Sequence, residues 1–236
     1  MLSFVVPAHN EAQLIEETVR RLHAAGAGAG LPYEVVVVDD ASTDDTAALA
    51  GGAGARVVPA AVRHIAAARN IGARAAHGEY LLFVDADTWL PAETARAAVE
   101  AMRDGAAGGG ARVRFDAPVP WYAVPGVFTV LGAFRVLNWT VGCFMFCTRA
   151  AFDRVGGFDE RLFAAEEVAF SLALKRVGRL RLVEPAVVTS GRKFRTHSVR
   201  ELVRMTVATL NVRRALRSRR QLDLWYGERR HDPGPR

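Results

Sequence analysis

The first 90 residues of the chain alternate short β-rich runs with helical segments. The β-rich runs carry almost no polar side chains, which is typical of strands covered by helices on both faces. Strands joined by helices in this way form right-handed crossovers and lie parallel in one sheet. The predicted strands are 2–6, 34–38, 56–58 and 80–84, and the predicted helices are 11–25, one from about 44, and 64–76. The pattern predicts an α/β fold, a single domain with a mostly parallel central sheet flanked by helices.

Local residue types predict where these helices begin and end. Asn10, Ser42 and Pro91 each precede a helical run and predict a helix start, and Gly26 and Gly105 predict helix ends. We therefore expect the side chains of Asn10 and Ser42 to cap helices.

Residues 91–191 follow a less regular pattern that still contains strands and helices. The predicted strands are 112–115, 142–147, 180–183 and 186–188, and the predicted helices are a short one closed by Gly156 and Gly157 and a second at 165–177. Ser198 and Glu201 form a capping box that predicts a last, amphipathic helix with an arginine-rich face. We expect one domain at 1–191, with halves 1–90 and 91–191, and a basic helical tail at 192–236.

The charge of the chain is unevenly distributed. Residues 1–191 hold 18 basic and 21 acidic side chains, a net charge of −3, whereas residues 192–236 hold 13 and 4, a net charge of +9. A length of 236 residues and a hydrophobic fraction of 50% suit one globular domain and exclude collagen-like and disordered classes. The basic tail predicts contact with an anionic membrane surface, and an arginine-rich solvated helix without a partner is the alternative.

The cellular compartment is predicted from the cysteines and from the apolar segments. Cys143 and Cys147 are four positions apart in a predicted strand, too far for a disulfide, so free thiols and a reducing, cytoplasmic location are expected. The N-terminus lacks the basic and apolar regions of a signal peptide. The most apolar stretch, 119–148, is interrupted by two prolines and an arginine and predicts no spanning helix. Any membrane contact is expected to be peripheral, on the inner face.

Acidic side chains follow three of the predicted strands, in the segments 7–11, 39–42 and 85–87. In an open parallel sheet, ligands bind outside the carboxyl ends of the strands. A single acid after a strand can cap a helix, but several carboxylates at one edge need a counter-cation or hydrogen-bond donors. A divalent cation, Mn²⁺ or Mg²⁺, satisfies that need.

The pair Asp85 and Asp87 is the strongest element of this edge. Two carboxylates separated by one residue point the same way in an extended chain, so one can bind a metal while the other binds a ribose hydroxyl or a water. Mg²⁺ and Mn²⁺ keep open positions for phosphate oxygens. The pair therefore predicts a diphosphate ligand.

Six short motifs occur in a fixed order along the chain. They are VVPAHNE at 5–11, VDDASTD at 38–44, RNIG at 69–72, FVDAD at 83–87, GGFDE at 156–160 and EE at 166–167. In these motifs the chain resembles the inverting glycosyltransferases of family 2, which have the nucleotide-diphospho-sugar transferase fold of GT-A type. The resemblance covers residues 2 to about 190. It implies metal-dependent transfer of a sugar, with inversion, from a nucleotide-diphosphate donor, expected to be a UDP-sugar, to an acceptor hydroxyl in glycolipid or polysaccharide synthesis.

The resemblance also implies a nucleotide-sugar site in 1–90 and an acceptor site in 91–191. In it Asp39 or Asp40 contacts the base, Asp85 contacts ribose or metal, and Asp87 is the principal metal ligand. The implied donor-binding residues are Pro7, Ala8, Asn10, Glu11, Asp39, Asp40, Arg69, Asn70, Asp85, Ala86 and Asp87.

A general base is expected from the second half. The family usually carries Glu-Asp where this chain has Glu166 and Glu167. If Glu167 takes the base position, its extra methylene shifts the carboxylate by about 1 Å, and misplacement of that size can cost about 10²-fold in rate. We predict Glu167 as the base, with Glu166 as the alternative; a third interpretation is that both acids only stabilise a helix N-terminus.

Further residues are weaker candidates for the same site. His197 is predicted as a third metal ligand or a diphosphate contact, with an ordinary loop histidine as the alternative. Trp121 and Trp139 are predicted to stack on an acceptor sugar, with core packing as the alternative. The residues predicted to hold the leaving diphosphate are Arg192, Lys193 and Arg195.

Two other functions are alternatives to this one. A nucleotidyltransferase of related fold needs a glycine-rich phosphate loop with a basic residue after the first strand, and 7–11 lacks it. A non-catalytic module that binds membranes or anionic polymers would leave the acidic edge unexplained, and no specific nucleic-acid partner is expected. The expected partners are a nucleotide-diphospho-sugar donor, an acceptor glycan or glycolipid, and an anionic membrane surface.

Overall fold

The computed structural model describes residues 1–122, 124, 126, 132, 140, 142–196, 201 and 232. The strands are β1 (Leu2–Ala8), β2 (Tyr33–Asp40), β3 (Arg56–Ala60), β4 (Tyr80–Val84), β5 (Thr88–Trp89), β6 (Ala106–Phe115), β7 (Phe144–Thr148) and β8 (Arg179–Thr189). The helices are α1 (Ile15–Gly28), α2 (Thr46–Gly52), α3 (Ile65–Ala75), α4 (Ala92–Arg103), α5 (Arg149–Val155), α6 (Glu166–Val177) and α7 (Arg192–Thr196).

All eight strands form one sheet in the order β3-β2-β1-β4-β7-β6-β8-β5. The first four strands in this order are parallel, β7 is antiparallel to both of its neighbours, and β8 is parallel to β6 and antiparallel to β5. Strands from 1–90 and from 91–191 thus share a single sheet. The predicted α/β fold with a mostly parallel central sheet is confirmed.

The core consists of two apolar layers, one on each face of the sheet. Phe4 of β1 packs in the layer covered by α1 and α4, whereas its neighbour Val5 packs in the layer covered by α3, α5 and α6. Because successive strand residues point to opposite faces, a strand covered on both sides must be apolar throughout. This is why the first strands are continuous hydrophobic runs.

The glycine cluster at 108–110 lies inside β6, which begins six residues earlier than the predicted strand. A Cβ atom on Gly109 would overlap the carbonyl oxygen of Arg181, and one on Gly108 would overlap the carbonyl oxygen of Phe146. The glycines therefore allow the backbones of β7 and β8 to approach β6 closely. The predicted start of this strand at residue 112 was too late, because the glycines before it are part of the strand and serve close packing.

Asn10 and Ser42 do not cap helices, which corrects the prediction from local residue types. α1 begins at Ile15 and α2 at Thr46, and neither has a side-chain cap. The backbone N–H of Asn10 donates to Oγ of Ser42 at 3.0 Å, and Oδ1 of Asn10 accepts from the backbone N–H of Thr43 at 2.8 Å. The two residues instead join the loops that follow β1 and β2.

The C-terminal part of the described chain differs in detail from the prediction. The two short strands predicted at 180–183 and 186–188 are one strand, β8. The predicted amphipathic helix lies, apart from Glu201, outside the described residues. Cys143 and Cys147 are free thiols, as predicted. Within the described part of the chain, no helix has the length and apolar character needed to cross a membrane.

Candidate active site

The carboxyl ends of β1, β2 and β4 meet at one edge of the sheet. β1 lies between β2 and β4, and Ala8 at the end of β1 is paired with Asp39 at the end of β2. The parallel register therefore gathers the segments 7–11, 39–42 and 85–87, which sequence analysis had selected. Three of their carboxylates, those of Glu11, Asp85 and Asp87, take part in two ionic networks, each built around one arginine.

The first network surrounds Arg69, a residue of α3 whose side chain is 1% exposed. Its Nη1 atom donates to Oε1 of Glu166 at 2.8 Å, and its Nη2 atom donates to Oδ1 of Asp85 at 2.9 Å and to the carbonyl oxygen of Gly142 at 2.8 Å. Burial lowers the pKa of Arg69, but the charges of Asp85 and Glu166 outweigh it, so the pKa is raised and the guanidinium stays charged. The arginine links the end of β4 to the start of α6.

Glu167 follows Glu166 in the first turn of α6 and has a different environment. Glu166 is buried in the ion pair with Arg69, whereas Glu167 is half-buried and has no ion-pair partner among the described residues. Burial, followed by the charge of Glu166, raises the pKa of the Glu167 carboxyl well above its usual range. A carboxyl group with a raised pKa can accept a proton near neutral pH, which is the property that a general base needs.

The second network surrounds Arg192, the first residue of α7. Its Nη1 and Nη2 atoms donate to Oε2 and Oε1 of Glu11, both at 2.6 Å, and Nη2 also lies 3.1 Å from Oδ2 of Asp87. Burial lowers the pKa of Arg192, but the hydrogen bond to Glu11 and the charge of Asp87 outweigh it and raise the pKa. Arg192 therefore lies at the acidic edge, and its predicted role as a diphosphate contact stays a prediction.

Asp85 and Asp87 do not act as a parallel pair, which corrects the prediction from strand periodicity. The chain leaves the extended conformation after Val84 and turns, with the N–H of Thr88 donating to the carbonyl oxygen of Asp85 at 3.0 Å. The turn directs Asp85 toward Arg69 and Asp87 toward Arg192. The carbonyl oxygen of Ala86 between them accepts from Thr18 Oγ1.

Asp39 and Asp40 differ in how their carboxylates are used. Oδ1 of Asp40 accepts from the backbone N–H groups of Val62 and Arg63, and Oδ2 accepts from that of His64, at 2.7 to 2.9 Å. Asp40 thus holds the loop between β3 and α3. In contrast, Oδ1 of Asp39 is buried and has no hydrogen-bond partner among the residues that the structure describes. Asp39 is therefore the aspartate with capacity for a ligand.

Asn70 uses its amide group within the protein. Its Nδ2 atom donates to the carbonyl oxygen of Phe158 at 2.9 Å and to Oε1 of Glu160 at 2.8 Å, and its Oδ1 atom accepts from the N–H of Phe158 at 2.8 Å. These bonds hold the loop after α5 against α3. The donor-binding role of Asn70 stays a prediction, as do those of Pro7, Ala8 and Asn10 at the edge.

Arg195 anchors α7 through two carboxylates. It donates to Asp116 at the end of β6 and to Asp232, at distances between 2.6 and 3.0 Å. Asp116 could not be predicted from local sequence, because its partners Gly191 and Arg195 are 75 and 79 positions away. In this structure Arg195 therefore serves as an anchor of the segment that carries Arg192.

Of the remaining predicted site residues, the structure describes the side chain of Trp121 only. Trp121 is 85% exposed and makes a T-shaped contact with the ring of Tyr122, so core packing, the alternative interpretation, is excluded. The predictions for His197, for Trp139 and for the side chain of Lys193 fall outside the described residues.

The donor set at the edge suits a divalent cation that arrives together with a ligand. Among the described residues there is no group of three or more histidine, cysteine, aspartate or glutamate side chains placed to hold a metal ion. Mg²⁺ and Mn²⁺ commonly bind through one or two carboxylates, with substrate phosphates and water as the other ligands. Asp87 fits that requirement as a single carboxylate ligand, whereas Asp85 is directed toward Arg69, so its role as a second ligand stays a prediction.

Comparison with known proteins agrees with the geometry. Residues 3–157 match the family model described as "Glycosyl transferase family 2". A succinoglycan biosynthesis protein, ExoO, of Rhizobium meliloti is 37% identical over 107 residues, which are 42% of this chain and 29% of that protein. An undecaprenyl-phosphate 4-deoxy-4-formamido-L-arabinose transferase of Pseudomonas aeruginosa is 34% identical over 113 residues, 44% of this chain and 33% of that protein. The chain thus spans about a third of these curated relatives.

Solved structures resemble the whole described fold. A mannosyltransferase from Pyrobaculum calidifontis in complex with GDP-Man and Mn²⁺ has a TM-score of 0.66 and 25% identity, and the match covers 88% of this chain and 61% of that one. TarS of S. aureus in complex with UDP-GlcNAc has a TM-score of 0.62 and 22% identity, covering 88% and 65%. The family match extends over more than half of the sequence, and with the acidic edge at the ends of β1, β2 and β4 it shows that the chain belongs to glycosyl transferase family 2.

Proposed function

We propose that the protein transfers a sugar from a nucleotide-diphosphate donor, a UDP-sugar, to an acceptor hydroxyl with inversion at the anomeric carbon, and that the reaction requires Mn²⁺ or Mg²⁺. The observation that carries the proposal is the buried, unpartnered Oδ1 atom of Asp39 at the same sheet edge as Asp87. A buried carboxylate oxygen without a partner is costly, and an N–H donor of a nucleotide base would satisfy it. Membership of the family supports the same assignment.

The acidic edge supplies the donor site. Asp39 accepts a hydrogen bond from the base, while Asp40 keeps the loop before α3 in place. Asp87, with Asp85 beside it, would hold the cation, which neutralises charge on the leaving diphosphate when it is bound. Arg69 fixes the position of Asp85 by the 2.9 Å ion pair.

Glu167 is the general base of the proposed reaction. Its carboxylate takes the proton of the acceptor hydroxyl as that oxygen bonds to the anomeric carbon and the bond from this carbon to the diphosphate breaks. Glu166 is unsuited to this step because Arg69 holds its carboxylate at 2.8 Å in a buried ion pair. The raised pKa of Glu167 favours proton transfer at neutral pH.

The acceptor is proposed from the relatives and from the charge of the tail. One relative is named as a succinoglycan biosynthesis protein and another as an undecaprenyl-phosphate transferase, so we infer an acceptor glycan or glycolipid in the synthesis of polysaccharide or glycolipid. The net charge of +9 at 192–236 favours peripheral contact with an anionic membrane surface. A lipid phosphate acceptor would need no base, so the Glu167 variant described in the Discussion distinguishes the two acceptor chemistries.

The test is a screen of UDP- and GDP-sugars for release of the nucleoside diphosphate with and without Mn²⁺, followed by NMR of the anomeric configuration in the product. We expect metal-dependent release that is lost in Asp87→Ala. Asp104→Ala is the matched control. Asp104 is an exposed residue directly after α4, and it lies far from the acidic edge of the sheet. Release that is independent of metal, or that survives in Asp87→Ala, would contradict the proposal.

A further inference from the structure

Arg192 is the counter-cation of two acidic side chains that lie in the proposed donor site. The side chains of Glu11, Asp87 and Arg192 are 4%, 15% and 11% exposed. Two carboxylates shielded from water to this extent repel each other unless a cation lies close to both. One guanidinium fills that role for both, through the two hydrogen bonds to Glu11 and the contact with Asp87.

The backbone that carries Arg192 is tied to the turn that carries Asp87. The N–H of Ser190 donates to the carbonyl oxygen of Asp87 at 3.1 Å, and the N–H of Arg192 donates to Oγ of Ser190 at 3.2 Å. The N–H of Gly191 donates to Oδ1 of Asp116 at 2.7 Å, which fixes the same segment to the end of β6. The guanidinium can therefore change partner by rotation of its own side chain while its backbone stays in place.

The guanidinium also competes with a metal ion for the same carboxylate. Asp87 is the proposed principal ligand, and its Oδ2 atom is the oxygen that Arg192 contacts. A divalent cation next to the guanidinium would add positive charge beside positive charge unless an anion lay between them. A nucleotide diphosphate is such an anion, and an arginine can bind its oxygens in a bidentate manner.

We propose that Arg192 makes metal binding conditional on the nucleotide: without donor its guanidinium occupies the cation position beside Asp87, and the diphosphate of an arriving donor draws it away so that Mn²⁺ or Mg²⁺ can bind there. This inference rests on the proposed function and assigns Arg192 a role in the order of binding. Because coupling between two ligands is reciprocal, the nucleotide and the metal should each strengthen binding of the other.

The experiment is a titration of Mn²⁺ into the full chain, with free Mn²⁺ measured by electron paramagnetic resonance, in the absence of nucleotide and with UDP present. We expect weak Mn²⁺ binding to the wild-type protein alone and strong binding with UDP. Arg192→Met should bind Mn²⁺ without nucleotide at least about tenfold more tightly than the wild type and should gain less from UDP. This readout does not depend on enzymatic turnover.

Two further variants make the result specific. Arg161→Met removes the same charge from an exposed arginine that pairs with Asp159, so it should leave the affinity for Mn²⁺ unchanged. Arg192→Lys keeps the charge but loses the planar guanidinium that binds Glu11 through two parallel hydrogen bonds, so it should show an intermediate gain. It replaces Arg192→Met if that variant does not fold. The inference is overturned if neither Arg192 variant binds Mn²⁺ more tightly than Arg161→Met does. If the protein has no transferase activity but Arg192→Met still binds Mn²⁺ more tightly than the wild type does, the proposed function is refuted and the role of Arg192 is not.

Discussion

The Nη1 atom of Arg69 lies 2.8 Å from Oε1 of Glu166, and the two residues are 97 positions apart in the chain. Arg69 lies on α3, which covers the parallel part of the sheet, and Glu166 opens α6, which belongs to the second half of the chain. Both side chains are almost fully buried. This ion pair therefore fixes the position of the proposed base, Glu167, relative to the donor edge.

Replacing Arg69 should damage both stability and activity. Arg69→Met leaves the carboxylates of Asp85 and Glu166 without their cation, and breaking a buried ion pair costs about 3 to 5 kcal/mol of unfolding free energy. Urea denaturation measures this loss. Arg20→Met, which breaks an exposed pair with Glu16, is the control and should cost less than about 1 kcal/mol. Equal losses in the two variants would contradict the assigned role of Arg69.

Glu167→Gln should abolish the proton transfer while leaving the donor site intact. We expect turnover to fall by about 10² to 10⁴-fold with a hydroxyl acceptor, while thermal stabilisation by UDP and Mn²⁺ stays as in the wild type. Glu166→Gln is the companion variant: it weakens the buried pair with Arg69, so its loss of activity should accompany a loss of stability. Unchanged turnover in Glu167→Gln would exclude this residue as the base and favour a phosphate acceptor.

The same variant should change how stability depends on pH. Since burial and the charge of Glu166 raise the pKa of Glu167 in the folded protein, the folded state retains a proton that the unfolded chain loses near pH 4.3. The stabilisation is present below about pH 4 and is lost as pH rises through the folded-state pKa. Glu167→Gln stays neutral, so its unfolding free energy should rise relative to the wild type between about pH 5 and pH 9. A difference that is constant with pH would contradict the raised pKa.

Asparagine variants of Asp39 and Asp40 should separate an effect on nucleotide binding from an effect on stability. Asp40→Asn weakens three backbone hydrogen bonds to a charged acceptor and should lower the unfolding free energy by about 1 to 3 kcal/mol. Asp39→Asn should keep the stability of the wild type and lose thermal stabilisation by UDP. Denaturation and ligand-induced melting shifts of both variants measure the two effects. The opposite pattern would assign the nucleotide base to Asp40.

Glu34 should contribute to resistance against acid. Burial acts to raise its pKa, but hydrogen bonds from Arg56, from His77 and from Ser3 outweigh it and lower the pKa to about 2. The stabilisation is therefore complete above about pH 5, and it is lost as pH falls toward 2. Glu34→Gln should be less stable than the wild type by about 1 kcal/mol at neutral pH, a value kept small by solvent screening, with the difference vanishing near pH 2. A stability difference between Glu34→Gln and the wild type that persists near pH 2 would contradict the lowered pKa of Glu34.

Local sequence was sufficient to predict the positions of strands that are covered by helices on both faces. β1 to β4 were predicted within two residues at each end. For β1, β2 and β4 the reason is that a strand covered on both faces is apolar nearly throughout, and the helices between the strands are marked by their period. The acidic segments at the ends of β1, β2 and β4 were also predicted, since parallel strands place their carboxyl ends at one edge. The glycines at 108–110 misled the prediction because their packing against Arg181 and Phe146 involves residues distant in sequence.

The sequence by itself determined which carboxylates gather at the edge of the sheet and which family the motifs resemble, because the residue types after each strand are local and parallel strands place their carboxyl ends at one edge. The tertiary structure alone decided how those carboxylates are divided. A turn after Val84 directs Asp85 and Asp87 apart. Arg69 of α3 then pairs with Asp85, and Arg192 of α7 pairs with Asp87. Buried charges must be neutralised by whichever cation the fold brings near, and that cation can be 105 positions away, as Arg192 is from Asp87.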